Sequence, residues 1–571
     1  MNNQNSTQEK IEQKSLFTWI KDGWYLAKPF WLSSEKYKAI AWLSLIVILS
    51  LLEVYMSVRL NKWNATFYNA IQNYDKPAFF KALFQGTYII LFYVSIMLLG
   101  YYFNSILEIK WRKWLTHFYL DNWFTSKAYY TVRFTKTRLE NPDQRISEDI
   151  QEFINLTLSL SLGLFKSVMS LGSFVVILWG LSGNFKFNLF NYHFYIPGYM
   201  VWMAILYAFL GTYITFKIGR PLIKLTYEQQ MYEADFRYNL VRVREYAEHI
   251  ASYKGDTAEK TIITKDFDNI VDNFMQSLRR NLKINMFNFV YAQVSNIVPT
   301  IISAGRYFSK EITLGNMMQI NSAFGQVQFS IAYFVFAYSS IANWRAVMDR
   351  LLGFRDTIQD ADNLPELTIL AHNKNYLEIK NLRITLPNGQ LLIKGFSQVF
   401  NSGDRVLING ASGKGKTTLL KAINGLWPYV DGEIYQLPNL TSLFIAQKPY
   451  IPKLNLKEAI CYPKTTNLPS DAEVKRILIE CELPHLVDKL YDICNWSNQL
   501  SLGEQQKIAF GRILINKPDI IYLDEITSAL DEKTEKELYN KIINTLVNSL
   551  IISIGHRSTL INLHNKVIPF I

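Results

Sequence analysis

Six stretches of this chain, at about 39–58, 83–107, 156–182, 195–218, 286–305 and 317–341, are close to or above the ~20 apolar residues that a helix needs to cross a bilayer. The run 39–52 carries no charge at all, which argues against buried helices of a large soluble core. Composition agrees: of 571 residues, 49% are hydrophobic, 15% aromatic and only 19% charged, too apolar for an ordinary soluble two-domain chain. An α-helical transmembrane domain of six spans is therefore expected over 37–351.

Ahead of it, 1–36 reads as a cytoplasmic leader and an interfacial helix. Met1 to Lys14 is polar, no cleavable signal peptide is evident, and Trp19, Trp24, Phe30 and Trp31 mix with Lys21 and Lys28 as suits a helix lying on the membrane. An amphipathic helix packed on the domain is the competing reading. Positive residues cluster before the first span, between spans two and three (Lys110, Arg112, Lys113, Lys127, Arg133, Lys136, Arg138) and over 220–244, which places these segments in the cytoplasm. That bias accounts for the formal charge of +12, so no nucleic-acid partner is expected. Cys461, Cys481 and Cys494 lack a C-x-x-C spacing, consistent with a reducing cytosol and no metal site of their own.

After a linker at 352–375, rich in Asp and Asn and containing Pro365, short apolar strands alternate with helical stretches over 376–571, the pattern of an α/β nucleotide-binding domain. Here Gly410-Ala411-Ser412-Gly413-Lys414-Gly415-Lys416-Thr417 fits G-x-x-x-x-G-K-[ST], with Val406-Leu407-Ile408 as the strand before it and Leu419-Leu420 opening a helix behind, and Thr418 is counted with the loop as an ATP-binding residue. Its glycines let consecutive N–H groups face phosphate, Lys416 adds a point charge and Thr417 offers a hydroxyl to magnesium. Downstream, Ile520-Ile521-Tyr522-Leu523 delivers Asp524 and Glu525 at a strand end. Phosphoryl transfer needs one carboxylate for the metal and another group for the water, roles assigned to Asp524 and Glu525 respectively.

These residues carry a family resemblance. Leu500-Ser501-Leu502-Gly503-Glu504-Gln505-Gln506 resembles the signature motif of ABC ATPases, Gln447 stands at the Q-loop position, Ser528-Ala529-Leu530-Asp531 at the D-loop, and His556 at the switch histidine. The resemblance implies ATP and Mg2+ as cofactors and Glu525, His556 and Gln447 as the catalytic set, with Thr417, Gln447 and Asp524 around the metal. It further implies that two such domains pair head to tail, so that Ser501, Leu502, Gly503, Glu504 and Asp531 contribute to ATP held on the other chain's phosphate loop. One loop and one signature occur here, so a second copy of the chain is the expected partner, and a paralogous partner is the alternative. Two departures stand out. Leu386 occupies the place where an adenine-stacking aromatic is usual, which bears on nucleotide selectivity, and Leu502 replaces a common glycine.

Glu108-Ile109-Lys110-Trp111-Arg112-Lys113-Trp114-Leu115, Asn141-Pro142-Asp143-Gln144-Arg145-Ile146, Asp235-Phe236-Arg237-Tyr238 and Ala304-Gly305-Arg306-Tyr307-Phe308 are similar to the SbmA/BacA-related ABC transporters, close to peroxisomal subfamily D. That likeness implies an exporter-like fold with fused membrane and ATPase domains. It also implies substrates such as cobalamin, peptides or other bulky hydrophilic compounds, with lipid or acyl-CoA movement and a non-transporting ATPase sensor as alternatives. A bacterial inner membrane is expected, a peroxisomal membrane being the alternative. Inside the spans, Glu53 and Lys166 are ionisable and are candidates for the translocation pathway, against structural pairing or snorkelling.

Overall fold

A computed structural model describes residues 16–125, 127–135, 141–189, 192–365, 369–371, 376–411 and 413–570. Of the features read above, Met1 to Lys14, Lys136, Arg138 and Ser412 lie outside these residues.

The chain divides into two compact units. The first is helical. A short helix α1 (Leu16–Trp31) precedes six long ones: α2 (Lys36–Gln72), α3 (Lys76–Thr125), α4 (Ile150–Ser182), α5 (Tyr199–Glu245), α6 (Asp256–Phe308) and α7 (Leu314–Asp362). Five of them contain one of the expected apolar stretches, and α5 takes in the fourth from Tyr199 onward, its first residues lying in the preceding strand. Four helical segments, Lys36–Gln72, Lys76–Thr125, Pro142–Ser182 and Tyr199–Glu245, are long and apolar enough to cross a membrane by length and composition. The fifth and sixth stretches are more polar, with Asn288, Gln293 and Asn296 on α6 and Gln319, Asn321, Gln326 and Gln328 on α7. Helix packing satisfies several of these groups. Gln319 exchanges hydrogen bonds with Asn61 of α2 at 3.0 and 3.1 Å, Asn321 donates to Thr300 at 2.6 Å, and Ser295 bonds Gln328. Interhelical amide pairs of this kind hold helices together where apolar contact gives no preference over lipid.

Small residues set the closest approaches. A Cβ on Gly86 would lie 2.4 Å from the Trp63 indole, and one on Gly211 would lie 2.2 Å from the Tyr291 ring. Tyr207 and Tyr291 stack at 4.5 Å, each hydroxyl donating to the other's carbonyl, which locks α5 to α6. A π-turn, Arg145–Asp149, precedes α4, and its buried Asp149 is gripped by Arg145 at 2.7 Å and by Arg350 of α7 at 2.6 and 3.0 Å. Helix α1 buries Leu26, Ala27 and Phe30 while Ile20 and Trp24 stay exposed. Trp19 and Tyr25 sit under Arg345 and Arg355 of α7 at 4.6 and 4.1 Å. The hairpin β1 (Asn184–Leu189) and β2 (Tyr192–Pro197) joins α4 to α5.

The second unit is the α/β domain. A four-stranded sheet, in the order β3 (Ile369–Ala371), β7 (Val430–Gln436), β4 (Leu377–Thr385), β5 (Leu391–Phe400), stands beside a five-stranded one. The latter runs β11 (Lys566–Pro569), β6 (Arg405–Asn409), β10 (Leu550–Ile554), β9 (Ile520–Asp524), β8 (Ser442–Ile445), and every pairing in it is parallel. Strands β9 and β10 are buried along their whole length, as their unbroken apolar runs require. Helix α7 continues to Asp362, so the first part of the 352–375 stretch is helical.

This unit also takes in 127–135, which lies in sequence between spans two and three. There Phe134 packs on Trp427 with ring centroids 5.0 Å apart, and the Tyr429 hydroxyl donates to the Phe134 carbonyl. Trp427 is itself anchored by a 3.0 Å bond to the Thr385 carbonyl.

Candidate nucleotide site

Parallel register decides what meets at the carboxyl edge of the five-stranded sheet. Ile554 pairs with both Ile408 and Asp524, and Ile445 with Leu523, so β6, β8, β9 and β10 end together. The residues just beyond those ends are Gly410, Gln447, Glu525 and His556. Ligands of open α/β sheets bind at this edge.

The turn after β6 leads into α8 (Lys416–Ile423) through Gly413 and Gly415, at φ +80° and +99°, a region costly for side-chain-bearing residues. At Gly410 a Cβ would fall 2.2 Å from the Phe570 carbonyl oxygen, so that position excludes larger residues on contact alone. Ala411, Gly413 and Lys414 are exposed along the loop, and Gly415, Thr417 and Thr418 are half-buried. The Lys416 ammonium is buried, donates to the Gly410 carbonyl, and lies 3.1 Å from His556 Nε2. Burial pushes it below the usual lysine range, against the pull of Glu525 and Asp524.

Asp524 closes β9 and accepts a 2.9 Å bond from Thr417. Burial raises its carboxyl above the usual range, partly offset by that hydroxyl. Glu525 turns into the left-handed region at φ +50°, its N–H held by the Ile554 carbonyl at 3.1 Å. Such a conformation is costly for a non-glycine residue. Gln447 lies 3.3 Å and His556 3.2 Å from the two oxygens of Glu525. One chain thus brings together Lys416, Thr417, Gln447, Asp524, Glu525 and His556. Thr417 and Asp524 present hard oxygens side by side, a donor pair suited to Mg2+.

The signature residues form a separate cluster. Ser501 caps α9 (Leu502–Asn516) in a reciprocal capping box with Glu504, whose Oε2 takes the Ser501 N–H and hydroxyl at 2.9 Å each. His485 lies 2.9 Å from the other Glu504 oxygen. Burial would raise the Glu504 carboxyl, but the Ser501 bonds and His485 outweigh it and hold it below the usual range. Leu502 is exposed, and Gly503 approaches the Ala529 carbonyl so closely that a Cβ would sit 3.1 Å from it. Asp531 caps α10 (Glu532–Thr545), accepting from Lys533 and Thr534 at 3.1 and 2.9 Å, and these bonds hold its carboxyl low.

Two connecting residues, Gln506 at the end of the signature run and Arg557 after His556, were given no role by sequence reasoning. The fully buried Gln506 donates to the Gln447 carbonyl and to Ser528, both at 3.1 Å, and accepts from the Ala529 N–H at 3.1 Å, so one amide joins three motifs. Arg557 donates to the Leu530 and Ser528 carbonyls at 2.6 and 3.3 Å. Their only signal in the sequence was their place within or beside those motifs. Leu386 stands in the turn between β4 and β5, its N–H on the Gln390 carbonyl at 2.8 Å. Glu53 and Lys166, the pathway candidates, are joined to each other in an ion pair between α2 and α4, with Glu53 largely covered and Lys166 more open.

Comparison with known proteins decides the family. The family described as ABC transporter transmembrane region 2 matches residues 27–308, and that described as ABC transporter matches 393–528. An uncharacterized ABC transporter ATP-binding protein of Haemophilus influenzae is 37% identical over 96% of this chain and 92% of its own. The chain belongs to the ABC transporters. The human lysosomal cobalamin transporter ABCD4 is 26% identical over 95% of this ABC transporter and 92% of that protein, so the chain is related to subfamily D. A bacterial Atm1-family ABC exporter with ATP bound superposes with a TM-score of 0.69 at 16% identity, covering 94% of each chain, and shows the exporter-like fold. This ABC transporter is a multi-pass membrane protein whose ATPase domain binds ATP and couples its hydrolysis to transport.

Proposed function

We propose that the protein is a homodimeric half-transporter that imports bulky hydrophilic compounds, with cobalamin or peptide-like solutes as the class to test first, across a bacterial inner membrane. The observation that carries the substrate class is a cavity of about 430 Å³ within the helical unit. Thr212, Thr215, Asn288, Ser295, Asn296 and Gln328 line it, from α5, α6 and α7. Thr215 pairs with Asn288 and Ser295 with Gln328, beside Tyr291 and Phe329, and this mixed polar and aromatic wall suits a solute that both hydrogen-bonds and packs. The ABCD4 relative named for cobalamin adds weight to that class, and the Haemophilus relative to the bacterial placement.

In this reading ATP lies on the loop 410–417, with Lys416 charging its phosphates and the signature of a second copy, Ser501 to Glu504, closing over it. Thr417 and Asp524 hold magnesium, which when bound neutralises phosphate charge. Glu525 orients and deprotonates the attacking water, His556 contacts the terminal phosphate, and Gln447 reports occupancy. Gln506 carries that report to Ser528 and Ala529 on the D-loop, and Phe134, docked on Trp427, carries domain closure toward spans two and three.

The test is uptake of labelled cobalamin into proteoliposomes with ATP sealed inside, comparing wild type with Glu525→Gln. Accumulation in the wild type that the variant loses supports import. No accumulation while lumenal ATP is hydrolysed removes cobalamin import and moves export or a lipid substrate forward.

A further inference from the structure

A second cavity, of about 510 Å³, opens where α2 begins and α3 leaves its apolar stretch. Its depth follows from the two helices: the first apolar stretch starts near 39 and the second ends near 107, and the cavity wall includes both Ala39 and Leu107. It therefore sits at the water–membrane boundary, on the side to which the basic residues assign the cytoplasm.

The walls have two chemistries. Its aromatic surface comes from Trp42, packed 5.4 Å from Phe103, and from Trp114, stacked 5.4 Å from Phe118 and 5.8 Å from Phe30. Indoles at this depth are usual at headgroup level. Flanking Trp114 along α3, Lys110, Lys113 and His117 recur at spacings of three and four, which puts them on one helix face. Lys38, also in the wall, is tied to Glu35 at 3.1 Å. Among the described residues, Lys110 and Lys113 have no carboxylate within ion-pairing distance. Asp121, the remaining acid in the wall, is about 12 Å along the helix axis from Lys113.

Two uncompensated ammonium groups beside an aromatic floor call for an anion that carries an apolar body. Exposed Ile40, Leu99 and Tyr102 on the same two helices offer surface for that body. We propose that this cavity binds the phosphate headgroup of an anionic membrane phospholipid, with its chains lying along α2 and α3. The lipid would hold the start of the first span against the second. This assignment is independent of the transported substrate.

Native mass spectrometry of the delipidated full-length protein tests it, with phosphatidylglycerol, phosphatidylcholine or inorganic phosphate added. One phosphatidylglycerol per chain is expected, retained at least about tenfold better than phosphatidylcholine. Lys110→Gln/Lys113→Gln drops retention to the phosphatidylcholine level. Lys110→Arg/Lys113→Arg keeps it, as does Lys217→Gln/Lys224→Gln, which removes the same charge elsewhere. Equal retention of the two lipids by the wild type overturns the proposal whatever the variants do. So does undiminished retention in the Gln double variant, and so does displacement of the lipid by millimolar phosphate, which would mark a plain anion site.

Discussion

Thr417 donates a 2.9 Å hydrogen bond to Asp524, joining the first turn of α8 to the end of β9 at the point where both would face a divalent cation. The same carboxylate is buried, and burial raises its folded-state pKa above the unfolded value near ~3.9. The folded state therefore holds that proton better. The stability this contributes is complete below the unfolded pKa and is lost as pH rises through the folded one, so at neutral pH the ionised group opposes folding. Asp524→Asn should melt above the wild type at pH 7 without nucleotide, converge with it in acid, and lose the rise in Tm that magnesium and ATP give. Identical melting at pH 7 would refute the argument.

Glu525 is held in a left-handed turn beside Gln447 and His556. Glu525→Gln preserves the hydrogen bonding but cannot take a proton, so hydrolysis should fall about 10²- to 10⁴-fold while ATP still binds. Nucleotide affinity measured beside turnover separates the two effects; loss of binding would make Glu525 a structural residue instead.

Gln506 is the amide shared by three motifs. Gln506→Ala leaves the Ala529 N–H without its partner, a loss worth about 1–3 kcal/mol for a buried group. Turnover should drop while the loop 410–417 keeps its ATP affinity, because Lys416 and Thr417 make no contact through Gln506. Unchanged turnover would show that the three motifs communicate by another route.

His564 is buried, with Nδ1 2.7 Å from the Leu560 carbonyl and Nε2 2.9 Å from the Ser553 hydroxyl, and burial lowers its pKa. Its neutral form is the folded form. Stability is then full above the unfolded value near ~6.5 and declines as pH falls below it, because the unfolded chain takes up the proton more readily. Melting followed between pH 8 and pH 5 should decline less steeply in His564→Gln than in wild type.

Glu53 and Lys166 pair across α2 and α4. If pairing is their role, Glu53→Gln and Lys166→Met each destabilise the protein more than the double variant, with a coupling of about 0.5–3 kcal/mol. Additive effects on stability together with lost transport from either single change would return both residues to the pathway.

Much of the nucleotide site was legible in the chain because its chemistry is local. A phosphate loop is a run of consecutive N–H groups, glycines and one lysine, so spacing alone identifies Gly410 to Thr417, and the apolar run 520–523 announces the strand that presents Asp524 and Glu525. The long apolar helices were legible for a similar reason, since covering hydrocarbon takes length and composition, and four helical segments meet both. Contacts made across long sequence separations were not. Gln506 is the last polar residue of the signature run, with no role of its own, until tertiary packing buries it against Gln447 and Ala529. Phe134 is an aromatic in a loop until it meets Trp427, nearly three hundred residues later.

The sequence by itself determined which elements exist and which chemistry each can carry: helices long enough to span, buried parallel strands, a glycine loop for phosphate, carboxylates at a strand end. Tertiary structure alone decided which of them meet. Parallel register put the ends of β6, β8, β9 and β10 at one edge, and helix packing turned Glu53 and Lys166 from two isolated charges into a pair. The physical reason is that backbone propensity and hydropathy act over a few residues, whereas register and side-chain packing depend on chain segments hundreds of residues apart reaching the same place.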